Sequence, residues 1–213
     1  MEQLDTNRKD KQLLLRFILF VIFQATSVIT YTVADCFDLS WTAESLLMAV
    51  VCCAVYLSYR SHVKNVMKPL LGATLMLMLY YNMLFALNDI PYLGTTTAIY
   101  PNAAAFNASI IFEILLFVTL LLINIMHYVI NSTHHSSPGK VTANRVLYIL
   151  FAVFTFGDCI CSLFFGSTAL ITVSYFCGNI ADLFMLATVI IVETSLDKFR
   201  IAREAKAEED EEE

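Results

Sequence analysis

Charge is what this chain has least of. Charged residues make up 15% of its 213 positions, against about 25% in an average soluble domain. Hydrophobic residues make up 58% and the mean hydropathy is +0.68, so a soluble core with a charged shell is excluded. Recognisable catalytic spacing is absent as well. The sequence has no H-E-x-x-H, no G-x-S-x-G, no Walker A and no dinucleotide-binding glycine pattern. No catalytic residue and no cofactor is therefore assigned, and the metal question stays open. The net charge of −6 carries no message about partners: residues 208–213 supply six negatives, and the remainder is neutral. Nucleic acid is not an expected partner. Six cysteines are present but do not form a framework. Cys36 is the only one in a predicted aqueous connection. Cys159 and Cys161 fall on nearly opposite faces of a helix, which suits neither chelation nor a redox pair. They read as small packing residues.

Long apolar runs are what remains. The longest runs from Val146 to Val192, 47 residues with Asp158 and Asp182 as its only charges. One membrane crossing needs about 20 apolar residues, so this stretch reads as two spanning helices joined by a tight turn at Gly166-Ser167-Thr168. The whole chain reads as an all-α integral membrane protein, a six-transmembrane-helix bundle. The helices are expected near 13–33, 43–59, 69–88, 105–130, 146–166 and 169–193. Residues 1–196 form a single transmembrane domain and 197–213 a cytoplasmic tail, its acidic end solvated and disordered. Pro69 is placed to start helix 3, and Arg16 to snorkel back to the surface. The run after Lys11 is too long for a signal-peptide core and lacks a small-residue cleavage site.

Orientation follows from the 13 lysines and arginines. All lie in the termini, in the 2–3 and 4–5 connections, or just inside those ends. The 1–2, 3–4 and 5–6 connections hold none. The positive-inside rule then puts both termini in the cytoplasm and the protein in a cell membrane such as a cell inner membrane. The 3–4 connection, 89–103, is uncharged after Asp89. It reads as a surface loop with interfacial tyrosines or as a lid folding inward between Tyr92 and Tyr100. The sequons at Asn107 and Asn131 are poorly placed for modification.

Polar residues inside the spans are the functional signal, because an ionisable group at the centre of a bilayer costs roughly 2.5–3.5 kcal/mol on insertion-derived scales. A helical rise of 1.5 Å per residue puts Asn82, Glu113 and Asp158 all about 10–13 Å below the outer surface. Asp182 is deeper, near the midplane. Tyr175, Asn179, Asp182 and Glu193 recur on one face of helix 6. Thr155, Asp158 and Ser162 share a face of helix 5, and Ser109, Glu113, Asn124 and His127 one of helix 4. Such stripes face a bundle interior rather than lipid. The acids are protonated glue between helices or a binding site. No lysine or arginine reaches their depth, so they must be neutral, share a proton, or be matched by a cation from outside the chain. The candidate ligand- or ion-binding set is Glu113, Asp158, Asp182, Asn82, Asn179 and Tyr175. It points to a proton, a metal ion or a cationic or polar small molecule, whose binding would displace a proton. His127 with His134-His135 reads as loop chemistry before it reads as a metal site. Arg200, Arg203 and Lys206 read as an anchor at the anionic leaflet.

Three functional readings follow. A carrier or substrate-binding transport component fits the size and helix number. A sensor or accessory subunit, its acids serving as glue, fits a sixth helix that runs on into a charged tail able to dock a protein partner. An intramembrane enzyme is the weakest, since no nucleophile accompanies the acids. The lipid bilayer is a partner in all three.

Overall fold

Inside a bilayer every backbone N–H and C=O must find its partner within the chain, which leaves an uninterrupted apolar run little choice but the helix. The computed structural model describes the backbone of residues 2–34, 39–61, 64–96, 100–132 and 138–212, with side chains over 11–34, 39, 42–61, 66–96, 100–128 and 142–194. It contains α1 (Glu2–Val33), α2 (Leu39–Arg60), α3 (Lys64–Asp89), a 3-10 turn (Ile90–Tyr92), α4 (Ala103–Ser132), α5 (Pro138–Ser162) and α6 (Ala169–Glu212). Six of these helices are long and apolar enough to cross a membrane.

The helices outrun the expected bounds wherever a polar end is still a good helix former. α1 starts at Glu2, eleven residues before the apolar run. α3 starts at Lys64, so Pro69 lies inside the helix rather than at its start and removes one intrahelical donor. α5 starts at Pro138, a residue pre-organised for a first turn. α6 stays helical to Glu212, where a disordered acidic end was expected. Extension of an existing helix avoids the nucleation cost, and Ala, Glu and Lys dominate this stretch. α5 instead ends early, at Ser162. Two turn residues follow, and Gly166 adopts φ +73°, a left-handed conformation that glycine accepts readily. A Cβ at Gly166 would stand 3.1 Å from Pro101 Cγ. The 5–6 turn thus packs on the 3–4 connection. Asn102 fixes that contact, with Nδ2 donating to Phe164 O at 2.8 Å and its backbone N–H to Phe165 O at 3.0 Å.

Each helix touches the next, and α1 closes the ring against α6, while α3 meets α6 across the middle. Small residues let α1 and α6 come close. Ser27 Oγ donates to Ser174 O and Ser174 Oγ to Ser27 O, each at 2.8 Å, and a Cβ on Gly178 would lie 3.3 Å from Ser27 Oγ. Ser174 and Gly178 are one turn apart, the small-xxx-small spacing of membrane helix contacts. The main apolar core is built from residues three and four apart: Leu71, Leu75 and Met78 of α3, Leu116, Leu120 and Ile123 of α4, and Ala181, Met185 and Val189 of α6. The opposite faces are exposed and apolar, as with Ile149, Val153, Phe156 and Ile160 of α5. Apolar side chains on the outer faces, with small polar ones such as Ser27 and Ser174 where helices approach closely, fit a lipid solvent. Arg16 does not simply snorkel outward: its Nη1 donates to Ala187 O of α6 at 3.5 Å.

Candidate functional site

A second, smaller apolar cluster sits at the end of the bundle that carries the 3–4 and 5–6 connections. Tyr100 stacks on Phe106 with ring centroids 4.1 Å apart, and Phe165 meets both edge-on. The Tyr100 hydroxyl is hydrogen-bonded to that of Tyr175 on α6. Burial pushes the Tyr100 phenol above its ordinary value, so it stays neutral. Of the 3–4 connection, Tyr100 alone among the described residues is buried, while 90–96 are half-buried or exposed. Among the described residues of that connection the inward-folding one is Tyr100, while Thr97, Ala98 and Ile99 lie outside the described residues. The backbone N–H of Gly94 donates to Asn107 Oδ1 at 2.8 Å, which ties that loop to α4.

Between this roof and the main core lies a cavity of about 120 Å³. α3 supplies Tyr81, Asn82 and Phe85, α4 supplies Glu113 and Leu116, and α5 supplies Asp158. α6 contributes Ser174, Tyr175, Gly178 and Asn179, and α1 contributes Gln24, Ser27 and Tyr31. Five of the six residues singled out from sequence therefore converge: Asn82, Glu113, Asp158, Tyr175 and Asn179. Asp182 is not in the lining. It shares a helix face with Tyr175 but lies about 4.5 Å deeper than Asn179, beside Ala181, which is fully buried in the main core.

The two acids are held differently. Asp158 is buried and anchored on both oxygens: Ser109 Oγ donates to Oδ1, and Asn179 Nδ2 donates to Oδ2 at 2.9 Å. Three helices meet at that carboxyl. Glu113 is 8% exposed, and its Oε2 has no hydrogen-bond partner among the described residues. Buried polar atoms are nearly always partnered, so Glu113 is an exception that asks for a reason. No lysine or arginine lines the cavity. Asp89, at the last turn of α3, stands near enough to Glu113 to add to the negative field. Asn82 Nδ2 donates to Met78 O at 3.0 Å, back along its own helix, which leaves its amide oxygen free to face the cavity.

No family model, curated protein or solved structure matches this chain. The site is accordingly read from its chemistry alone.

Several lining residues escaped the sequence reading. Gln24, Ser27 and Tyr31 make the second half of α1 polar, yet nothing in the sequence says that α1 packs on α6. Gln24 is further held by Ser45 of α2, to which its Nε2 donates at 2.8 Å. At the other end of the bundle Glu193 gathers a separate network. Its Oε1 is 3.3 Å from His127 Nδ1, and its Oε2 accepts from Asn144 Nδ2 at 3.1 Å and Tyr148 Oη at 2.5 Å. His127 is thus placed with an acid, while His134 and His135 lie outside the described residues, as does Cys36. The side chains of Asn131, Arg200, Arg203 and Lys206 lie outside them too. Among the described residues no group of three or more His, Cys, Asp or Glu side chains is placed to hold a metal ion.

Proposed function

We propose that this chain is a multi-pass membrane protein, both termini cytoplasmic, that takes a cation or a cationic small molecule into the cavity at Glu113, as a carrier or as the substrate-binding component of a transport system. The observation that carries the reading is the unpartnered Glu113 Oε2. As glue it should be hydrogen-bonded to a neighbouring helix, as Asp158 is. An acid without a partner, in a cavity without a cation, is matched by something that enters. The proposed orientation puts the cavity in the outer half of the bundle, beneath Tyr100. Asp158 contributes charge and shape, and Asn82 and Asn179 contribute polar contacts.

The test is charge movement. Proteoliposomes of the full chain on a solid-supported membrane are exposed to jumps of sodium, potassium, magnesium and trimethylammonium chloride. A transient displacement is expected for at least one cation, and Glu113→Gln is expected to abolish it. Silence for every cation, or an unaltered response in Glu113→Gln, overturns the reading.

A sensor or accessory role has one observation of its own. α6 is unbroken from the cavity wall at Tyr175 and Asn179, through Glu193, to Glu212, so a ligand that tilts it would move the cytoplasmic tail. Under that role binding persists and charge displacement does not depend on the direction of the cation gradient.

A further inference from the structure

Aromatic rings make up much of the cavity wall. Tyr81 and Phe85 of α3 meet edge-to-face with centroids 4.8 Å apart. Tyr31 of α1 and Tyr175 of α6 meet edge-to-face at 6.2 Å. All four line the space that Glu113 faces. An aromatic face attracts a cation through its quadrupole, and rings surrounding one carboxylate are the chemistry that recognises substituted ammonium groups. A hard metal ion asks for something else, six or more oxygens at close range. Here both oxygens of Asp158 are already engaged by Ser109 and Asn179, and the described residues hold no group of three or more His, Cys, Asp or Glu side chains placed for a metal ion.

Size narrows the ligand further. The cavity measures about 120 Å³. Sites for drug-sized ligands run to about 300–1,000 Å³, so the space suits a small ligand.

We infer that the cavity is a site for a small alkylammonium ion that keeps at least one N–H. This rests on the cation-binding reading above and names the class of cation. The N–H donates to the carboxyl group of Glu113, the acid that lines the space beside Asp158. The alkyl groups, which carry much of the positive charge, lie against Tyr31, Tyr81, Phe85 and Tyr175. Asp158, fixed by its two donors, adds to the negative field without moving.

Binding of radiolabelled trimethylammonium to the purified full chain in detergent, with unlabelled competitors, tests this. Trimethylammonium should compete best. tert-Butanol, close in shape but neutral, and sodium should each be at least about tenfold weaker, the scale of a desolvated cation–π contact plus the lost ionic hydrogen bond. Tetramethylammonium, without an N–H, should also be weaker. Phe85→Leu should weaken trimethylammonium about tenfold and leave sodium competition unaltered. The wild-type competition series needs no variant, so it stands even where Phe85→Leu fails to fold. tert-Butanol matching trimethylammonium would show that the cavity reads shape alone and overturns the inference. Tetramethylammonium matching it overturns the N–H contact. Sodium or magnesium binding tighter overturns the alkylammonium class while leaving the cation-binding function intact. If charge displacement is also silent for all cations, both fall together.

Discussion

Asp158 accepts hydrogen bonds from side chains of α4 and α6, whereas the neighbouring Glu113 has an oxygen with none among the described residues. The two substitutions should therefore separate stability from binding. Asp158→Ala leaves the Ser109 and Asn179 donors without acceptors, and an unsatisfied buried donor costs about 1–3 kcal/mol. Its thermal midpoint in detergent should fall clearly. Glu113→Gln removes no hydrogen bond present in the apo fold, so its midpoint should stay close to wild type while cation binding disappears. Equal destabilisation by both would mean that Glu113 is structural after all. Much of this pair was legible beforehand. Both acids stand out in apolar runs, and the fixed rise of a helix put Asn82, Glu113 and Asp158 at one depth. Which acid is anchored was not legible, because it depends on Ser109 and Asn179 arriving from other helices.

Among elements, α6 does most to hold the bundle, touching α1, α3 and α5. It is tied to α4 and α5 a second time through Glu193. His127, Asn144 and Tyr148 all converge on that carboxyl group, and a hydrogen bond contributes about 0.5–1.5 kcal/mol net before non-additivity. Glu193→Ala should lower the thermal midpoint more than Asp158→Ala does, while trimethylammonium binding survives in the fraction that remains folded. Tyr148→Phe, which removes one donor, should produce a smaller drop. A neutral result for Glu193→Ala would show that the network is worth nothing net. Single helix faces were readable from spacing: Glu193 was placed on the inner end of helix 6 and His127 on helix 4. Their meeting was not, since a helical wheel gives the direction of a side chain relative to its own axis and says nothing of the neighbour.

For the whole molecule, the prediction concerns orientation. The lysine and arginine asymmetry predicts that the 3–4 connection is extracytoplasmic. Thr96 is exposed at that end. Thr96→Cys in a Cys36→Ser background should react with a membrane-impermeant maleimide in intact cells. The cysteines of the described spans are buried or half-buried, which keeps the background low. Reaction only after permeabilisation would invert the topology and put the cavity in the inner half. The extended helical ends belong to this scale too. α1 and α6 continue as helices beyond the apolar spans.

By itself the sequence determined the class of molecule, the number of spans and the polar stripes. Lipid imposes these constraints one helix at a time: backbone pairing within the segment, about 20 apolar residues per crossing, and a high cost for each buried charge. The tertiary structure decided everything that needed two helices at once. It brought Gln24, Ser27 and Tyr31 of α1 to the cavity through a contact made by Ser27, Ser174 and Gly178. It left Asp182 below the cavity beside the apolar core, tied Tyr100 to Tyr175 over it, and among the described residues gave Asp158 two donors and Glu113 Oε2 none. The physical reason is that helix pairing in a membrane is selected by close packing of small side chains. That selection has no period along the chain, whereas burial from lipid does.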